Sequence, residues 1–320
     1  VIVNYTGNGA YCFANSLAMA LAAAGEPVEA WYIETTTAVG IGATTVPTPG
    51  GPLTFFSNLE PDRGLDLAIR TLGFVCERDY CPAEDDPDGQ AALARLRDLV
   101  ARGPVVVGPL DMSRLTYIPG HEYLTGADHF VLVHEVGEDE VFMHDPGGSP
   151  YVSLPIPEFL AAWRAESVGY RAGSYSSWAG LRRVARPSPG EVVAAVDAHL
   201  REHIPAMPLV WGEENQGPSA IRRLADLVRE GVPPHLDGHL SHFALPLGAR
   251  RSADFARFYA PYDATRAVIK DRQSRHFGAA FVAMRRRDWP RLAAELRAVA
   301  DCDEEFAART LAGAARATAR

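Results

Sequence analysis

The spacing of apolar positions changes along the chain, and the changes mark out its elements. Residues 1–5 form a short β-rich run punctuated by Gly7 and Gly9, and residues 12–24 then read as an alanine-rich helix stopped by Gly25. A strand-like stretch over 30–36 leads into a Gly/Pro/Thr segment, 39–53, too long and too rich in breakers for a simple connection. Apolar residues return at helical spacing in 62–73 (Leu65, Ile69, Leu72) and 90–101 (Leu93, Leu96, Val100), each closing on a glycine.

Residues 104–110 are continuously apolar and β-branched, and 129–136 followed by 140–144 reads as a hairpin across Gly137, Glu138 and Asp139. A helix over 155–165 and a strand over 167–177 complete this half. From Ser188 onward the period is helical, in 188–203, 219–229, 252–270 and 290–315. The expected fold class is α+β: a domain over residues 1–180 with an antiparallel sheet, then a mainly helical domain over 187–320.

Composition narrows the picture. With 320 residues, 47% hydrophobic and 22% charged, the chain matches two ordinary globular domains. No apolar run approaches the roughly 20 residues of a membrane span, and no basic segment precedes the longest one, 17–24, so a cytoplasmic protein with no membrane partner is expected. A net charge of -9 argues against nucleic acid as a partner. The charge is uneven: residues 1–186 hold 23 acidic against 12 basic side chains, residues 187–320 hold 17 against 19. Lys270 is the only lysine beside 30 arginines.

Four cysteines, Cys12, Cys76, Cys81 and Cys302, show no CxxC spacing and are expected to be free thiols, which leaves one able to serve as a nucleophile. Cys12 opens a helix, where the dipole and unpaired N–H groups favour a thiolate. His129 opens one hairpin strand and Asp145 ends the other, so a register with an even residue sum puts both on one face. Nucleophile, base and orienting carboxylate are the parts of a thiol-dependent catalytic triad. Taken singly, each of these residues also has an ordinary packing explanation.

Two competing readings use the same regions. Gly7, Gly9 and Glu34 imitate a dinucleotide-binding turn, but Cys12 stands at the third glycine position and no second βα unit follows. His129, His134, His144 and Asp145 crowd the hairpin, yet a spacing of five turns His129 and His134 to opposite faces. No metal and no cofactor is expected.

The segments Tyr11-Cys12-Phe13-Ala14-Asn15-Ser16, Gly40-Ile41-Gly42 leading to Phe55-Phe56, Asp128-His129-Phe130-Val131-Leu132-Val133 and His144-Asp145-Pro146 together resemble the N-terminal domain of the butirosin biosynthesis protein H family. The stretches 217–225 and 254–259 are similar to the helical domain that often follows it. The resemblance implies a papain-like, cysteine peptidase-like domain. It also implies an acyltransferase of secondary-metabolite, antibiotic-type biosynthesis that takes an acyl group from a carrier-protein thioester to an amine acceptor.

On that reading Cys12 accepts the acyl group, His129 moves the proton and Asp145 holds the imidazole. Papain-like relatives often carry an oxyanion-binding Gln before the Cys. None occurs here, and Asn8 with the Cys12 N–H is the nearest substitute. Gly40, Gly42, Phe55 and Phe56 are expected to line the acyl channel. Arg285, Arg286 and Arg287, with Arg250 and Arg251, are expected to dock an acidic carrier. A cyclase, thioesterase or peptidase on the same covalent step, and a non-catalytic binding module, are the alternatives.

Overall fold

The structure, a computed structural model, describes residues 3–48, 50–58 and 60–317. Its elements begin with α1 (Cys12–Ala23), α2 (Ala30–Thr36), β1 (Thr44–Val46), β2 (Leu53–Phe55), α3 (Pro61–Thr71), β3 (Phe74–Cys81), α4 (Gln90–Val100) and β4 (Val105–Asp111). Then come β5 (Asp128–Val136), β6 (Glu140–Asp145), β7 (Ser149–Pro155), α5 (Ile156–Arg164) and β8 (Ser174–Arg183). Helices follow to the end: α6 (Pro189–Trp211), α7 (Gly217–Leu227), α8 (Pro234–Gly238), α9 (Leu245–Tyr259), α10 (Ala264–Arg286) and α11 (Trp289–Ala317). The chain is thus α+β with an antiparallel sheet and a helical C-terminal region. No described helix is long and apolar enough to cross a membrane.

Two compact units emerge, Val1–Ile33 with Pro61–Pro187, and Glu34–Glu60 with Ser188–Arg320. This differs from a single cut near residue 180, because the breaker-rich loop packs with the helices. The charge ledger moves with it: the first unit holds 21 acidic against 12 basic residues, the second 19 against 19. The helical unit is therefore neutral overall, and any electrostatic role belongs to local clusters.

In the first unit six antiparallel strands lie in the order β3-β8-β4-β5-β6-β7. Val105, Val107, Val131, Val133, Val141 and Met143 pack with Leu93 and Leu96 of α4 and Phe159 and Trp163 of α5. Helix α1 packs on β5, and its residues from Phe13 to Leu21 are all buried. A helix buried all round needs no polar face, which accounts for its run of small apolar residues. In the second unit α7, α9, α10 and α11 enclose a core that includes Ala220, Leu224, Phe277, Leu292 and Leu296, and Phe56 of the loop joins it.

Several expectations need correction. Residues 30–36 form helix α2 instead of a strand: Tyr32 and Ile33 donate back to Glu29 O, at 3.0 and 3.1 Å, and tertiary burial overrides a β-branched, aromatic composition. The helix over 252–270 is two helices. Pro261 breaks it, and the Asp263 side chain caps α10 through the Arg266 N–H. The strand placed at 167–177 runs instead from Ser174 to Arg183. Edge strands β3 and β7 escaped notice because they lack a clean apolar/polar alternation: Val75 and Tyr80 of β3 and Tyr151 of β7 are exposed, and β7 carries two prolines. Val1 and Ile2 of the N-terminal run, and Pro49 of the long loop, lie outside the described residues; residues 3–8 are irregular.

Candidate active site

Cys12 is presented by a tight turn. Tyr11, the residue before α1, adopts the left-handed conformation (φ 58°, ψ 46°) while its ring is buried. That conformation costs a non-glycine residue on the order of 1 kcal/mol and persists only where surrounding contacts enforce it. Asn15 supplies them. Wholly buried, its Nδ2 donates to Ala10 O (2.7 Å), Tyr11 O (3.1 Å) and Asn8 Oδ1 (3.2 Å). Gly9 is also left-handed (φ 71°) and donates its N–H to Pro146 O at 3.3 Å. Gly7 has no room for a side chain, since a Cβ there would sit 2.0 Å from Tyr5 Oη and 2.8 Å from Pro146 O. The glycines therefore close the turn around the end of β6.

On the sheet, Leu132 pairs with His144 and Val133 with Met143, which sets Asp145 opposite residue 131 and His129 two residues along on the same face. His129 Nε2 and Asp145 Oδ1 are 2.6 Å apart. Cys12 is close enough to the same imidazole to act on its protonation, and with Nε2 engaged by Asp145 the remaining Nδ1 is the nitrogen left for sulfur. The structure thus brings Cys12, His129 and Asp145 together in one chain of contacts.

Asp145 is buried and fully engaged. Its Oδ1 also accepts the Gly147 N–H (2.6 Å), its Oδ2 accepts the Tyr117 hydroxyl (2.8 Å), and its carbonyl accepts Tyr5 Oη (2.9 Å). Burial pushes the carboxyl up, but hydrogen bonding and charge from His129, then Gly147 and Tyr117, outweigh it and hold Asp145 below its ordinary value. For His129 burial works against the imidazolium, yet the bonds to Asp145 and Cys12 and the charges behind them raise it to about 10. The arrangement favours a proton on the imidazole beside the Cys12 sulfur.

Asn15, Tyr117 and Tyr170 escaped the sequence reading. Tyr170 is pushed well above its ordinary value by burial and by Asp128, Asp62 and Cys12, so a neutral phenol lies within electrostatic reach of the thiol. Asn15 alone left a signal, an amide three residues after the Cys on an otherwise small, apolar helix. Its replacement by alanine removes three hydrogen bonds from a buried turn and should destabilise the unit by about 2 kcal/mol, read by urea unfolding. The same variant should slow alkylation of Cys12 by iodoacetamide.

The other expected site residues fall as follows. Asn8 is exposed, and its Oδ1 accepts Ala10 N (3.1 Å) as well as Asn15 Nδ2. Gly40, Gly42, Phe55 and Phe56 belong to the helical unit, not to the unit that carries Cys12. There Phe56 is a core residue whose ring meets Phe277 at 4.5 Å, and Phe55 packs on His239 at 4.9 Å. Arg251, expected at a docking surface, is buried with its Nε 2.7 Å from Glu34 Oε1. That pairing, with Glu34 on a helix, also ends the dinucleotide reading. Arg285, Arg286 and Arg287 are exposed at the end of α10 and make no ion pair among the described residues. The rings of His134 and His144 lie 4.9 Å apart, tilted by 52°, and among the described residues no three His, Cys, Asp or Glu side chains are grouped to hold a metal.

Comparison with known proteins adds a family. The model for the YobF C-terminal domain matches residues 212–311, most of the helical unit beyond α6. The chain is also similar to the protein named Uncharacterized protein YobF of Bacillus subtilis (strain 168), 32% identical over 305 residues that span 94% of this chain and 96% of that protein. At this identity and coverage, over both units and not the helices alone, the chain belongs to the YobF family.

Proposed function

We propose that the protein is a cysteine-dependent acyltransferase on a papain-like fold, as its resemblance to the butirosin biosynthesis protein H family implies. The observation that carries this reading is His129 held between Cys12 and a buried Asp145 carboxylate. An imidazole that merely filled space would not need an acceptor itself oriented by Gly147 and Tyr117.

The reaction proceeds in two balanced halves. Cys12 Sγ attacks the thioester carbonyl, the carbon–sulfur bond to the carrier breaks, and the departing thiolate takes a proton from His129. An amine then attacks the Cys12 acyl carbon, gives its proton to His129, and expels the Cys12 sulfur. Helix α1 has no side-chain cap, which leaves the Cys12 N–H as one donor to the oxyanion. With Asn8 Oδ1 already engaged, its Nδ2 is the proposed second. The test is intact-mass measurement after incubation with small acyl thioesters: a single acyl increment, discharged by amines and not by water alone, is expected. Discharge to water at the same rate would make the protein a hydrolase.

The acyl donor is proposed to be a carrier protein, docked by Arg285, Arg286 and Arg287. Because the helical unit is neutral overall, this rests on the local run of three unpaired guanidiniums. Replacing all three by Glu should slow acylation from a carrier-bound donor about tenfold at low salt, and flatten its salt dependence, while a small uncharged thioester reacts as before. Equal losses with both donors would remove the docking role.

A further inference from the structure

Lys270, the only lysine of the chain, is 1% exposed. It lies on α10 at the wall of a pocket inside the helical unit that spans about 230 Å³ with its open, solvent-filled part included. Bare backbone at Gly40, Gly42 and Gly248 forms part of the wall, Phe56 and Phe277 supply apolar surface, and Ser252, Gln273 and Asp303 are the other polar groups. Of the three N–H groups on the ammonium, one meets Gln273 Oε1 at 2.8 Å. The ring faces of Phe306 and Phe255 lie 4.3 and 5.7 Å from Nζ. Lys270 makes no ion pair among the described residues, not even with Asp303 across the cavity.

A buried cation without a contacting counter-charge is costly, and apolar replacement of buried charges is often neutral or stabilising. Packing alone therefore does not explain why the one lysine stands here. We propose that the cavity is a binding site for a small carboxylate, of formate to acetate size or the terminal carboxylate of a somewhat longer molecule, seated on the Lys270 ammonium. The enclosed part has room for little more than one water, which limits the buried end of the ligand to a few atoms. Ser252 Oγ also borders the pocket; its proton, held at 3.2 Å by Gln273 Oε1, turns to the carboxylate when the ligand binds, and Gln273 Oε1 keeps the Lys270 ammonium.

The charges suit an arriving anion. Burial draws Lys270 down to about 8, against the pull of Asp303, so the amine is still mostly protonated at neutral pH. Burial pushes the Asp303 carboxyl up, against Lys270, Gln273 and the Gly42 N–H, so burial disfavours a second negative charge beside the ligand. Lys270, Ser252, Gln273, Asp303 and Gly248 all fall within the segment matched by the YobF C-terminal domain. The site does not depend on the chemistry at Cys12.

A single lysine makes the test direct. Full-length protein grown on lysine labelled with carbon-13 at Cε gives one such signal, and it reports Lys270 alone. Sodium acetate and sodium formate should shift it saturably at millimolar concentration, and sodium chloride of equal strength should not. Acetate should raise the unfolding temperature of the native protein but not of Lys270→Met, and Ser252→Ala should weaken the acetate response several-fold. An unmoved signal, a shift that grows linearly without saturation, or the same shift with chloride would overturn the proposal. If Lys270→Met does not fold, the signal of the native protein still decides.

Discussion

Replacing Cys12 with alanine should abolish the acyl adduct and reduce turnover by at least about 10,000-fold, because no other thiol can take its place. Burial pushes Cys76 up to about 11 and also raises Cys81. Cys302 is buried, with Arg272 Nε donating to its sulfur at 3.3 Å. Only Cys12 combines a helix N-terminus with an imidazole. Alanine in place of Cys76, Cys81 or Cys302 should leave the adduct intact, and peptide mapping should find the acyl group on Cys12 alone. The Cys12→Ala protein should unfold within about 1 kcal/mol of the native one, since the thiol is only half-buried. Turnover by that variant at an undiminished rate would end the covalent mechanism.

The second large effect is expected at the base. His129→Ala should cost on the order of 1,000- to 10,000-fold in turnover, and Asp145→Asn less, since an asparagine keeps the geometry but not the charge. The pH profile separates the two roles. With His129 raised to about 10, the alkaline limb of activity should lie near that pH. In Asp145→Asn it should move down towards the ordinary histidine value, because the imidazolium loses the carboxylate that stabilises it.

Stability should follow the same pair. The raised His129 contributes fully below its ordinary value of 6.5, and its contribution is lost as pH rises through about 10. The lowered Asp145 contributes above its ordinary value of 3.8 and loses its contribution as pH falls through the folded value. Both terms are therefore complete between about pH 4 and 6.5. Urea unfolding across pH 4 to 10 should show the native protein losing its advantage over His129→Ala on the alkaline side. A constant difference would mean that the pair is not charge-coupled.

How much of this was legible beforehand follows from the range of the interactions. Helices α3 and α4, strand β4 and the β5–β6 hairpin were readable because their signal is local: apolar residues at a fixed period, closed by glycine or a short turn. The closeness of His129 and Asp145 was readable only in part: beside the turn Val136 pairs with Val141 and Glu135 with Phe142, an odd-sum register that would part the two faces, and a bulge between Val133 and Glu135 restores the even sum. Even so, periodicity admitted a one-residue slip, and the pairing of Leu132 with His144 decided against it.

What needed the tertiary structure was every contact whose partner lies far along the chain. Nothing near Gly40 or Phe56 reveals that this loop packs with helices more than 150 residues onward, nor that Arg251 turns inward to Glu34. Residues 30–36 have a strand's composition and became a helix because burial, a long-range quantity, outweighed intrinsic preference. The supports of the candidate triad, Tyr117 on Asp145 and Asn15 on the Tyr11 turn, are single polar side chains that carry no period. By itself the sequence determined the locally periodic elements and the side chains capable of nucleophile and base chemistry. Only the tertiary structure decided which of them meet, because hydrogen bonds and burial between distant segments leave no local pattern to read.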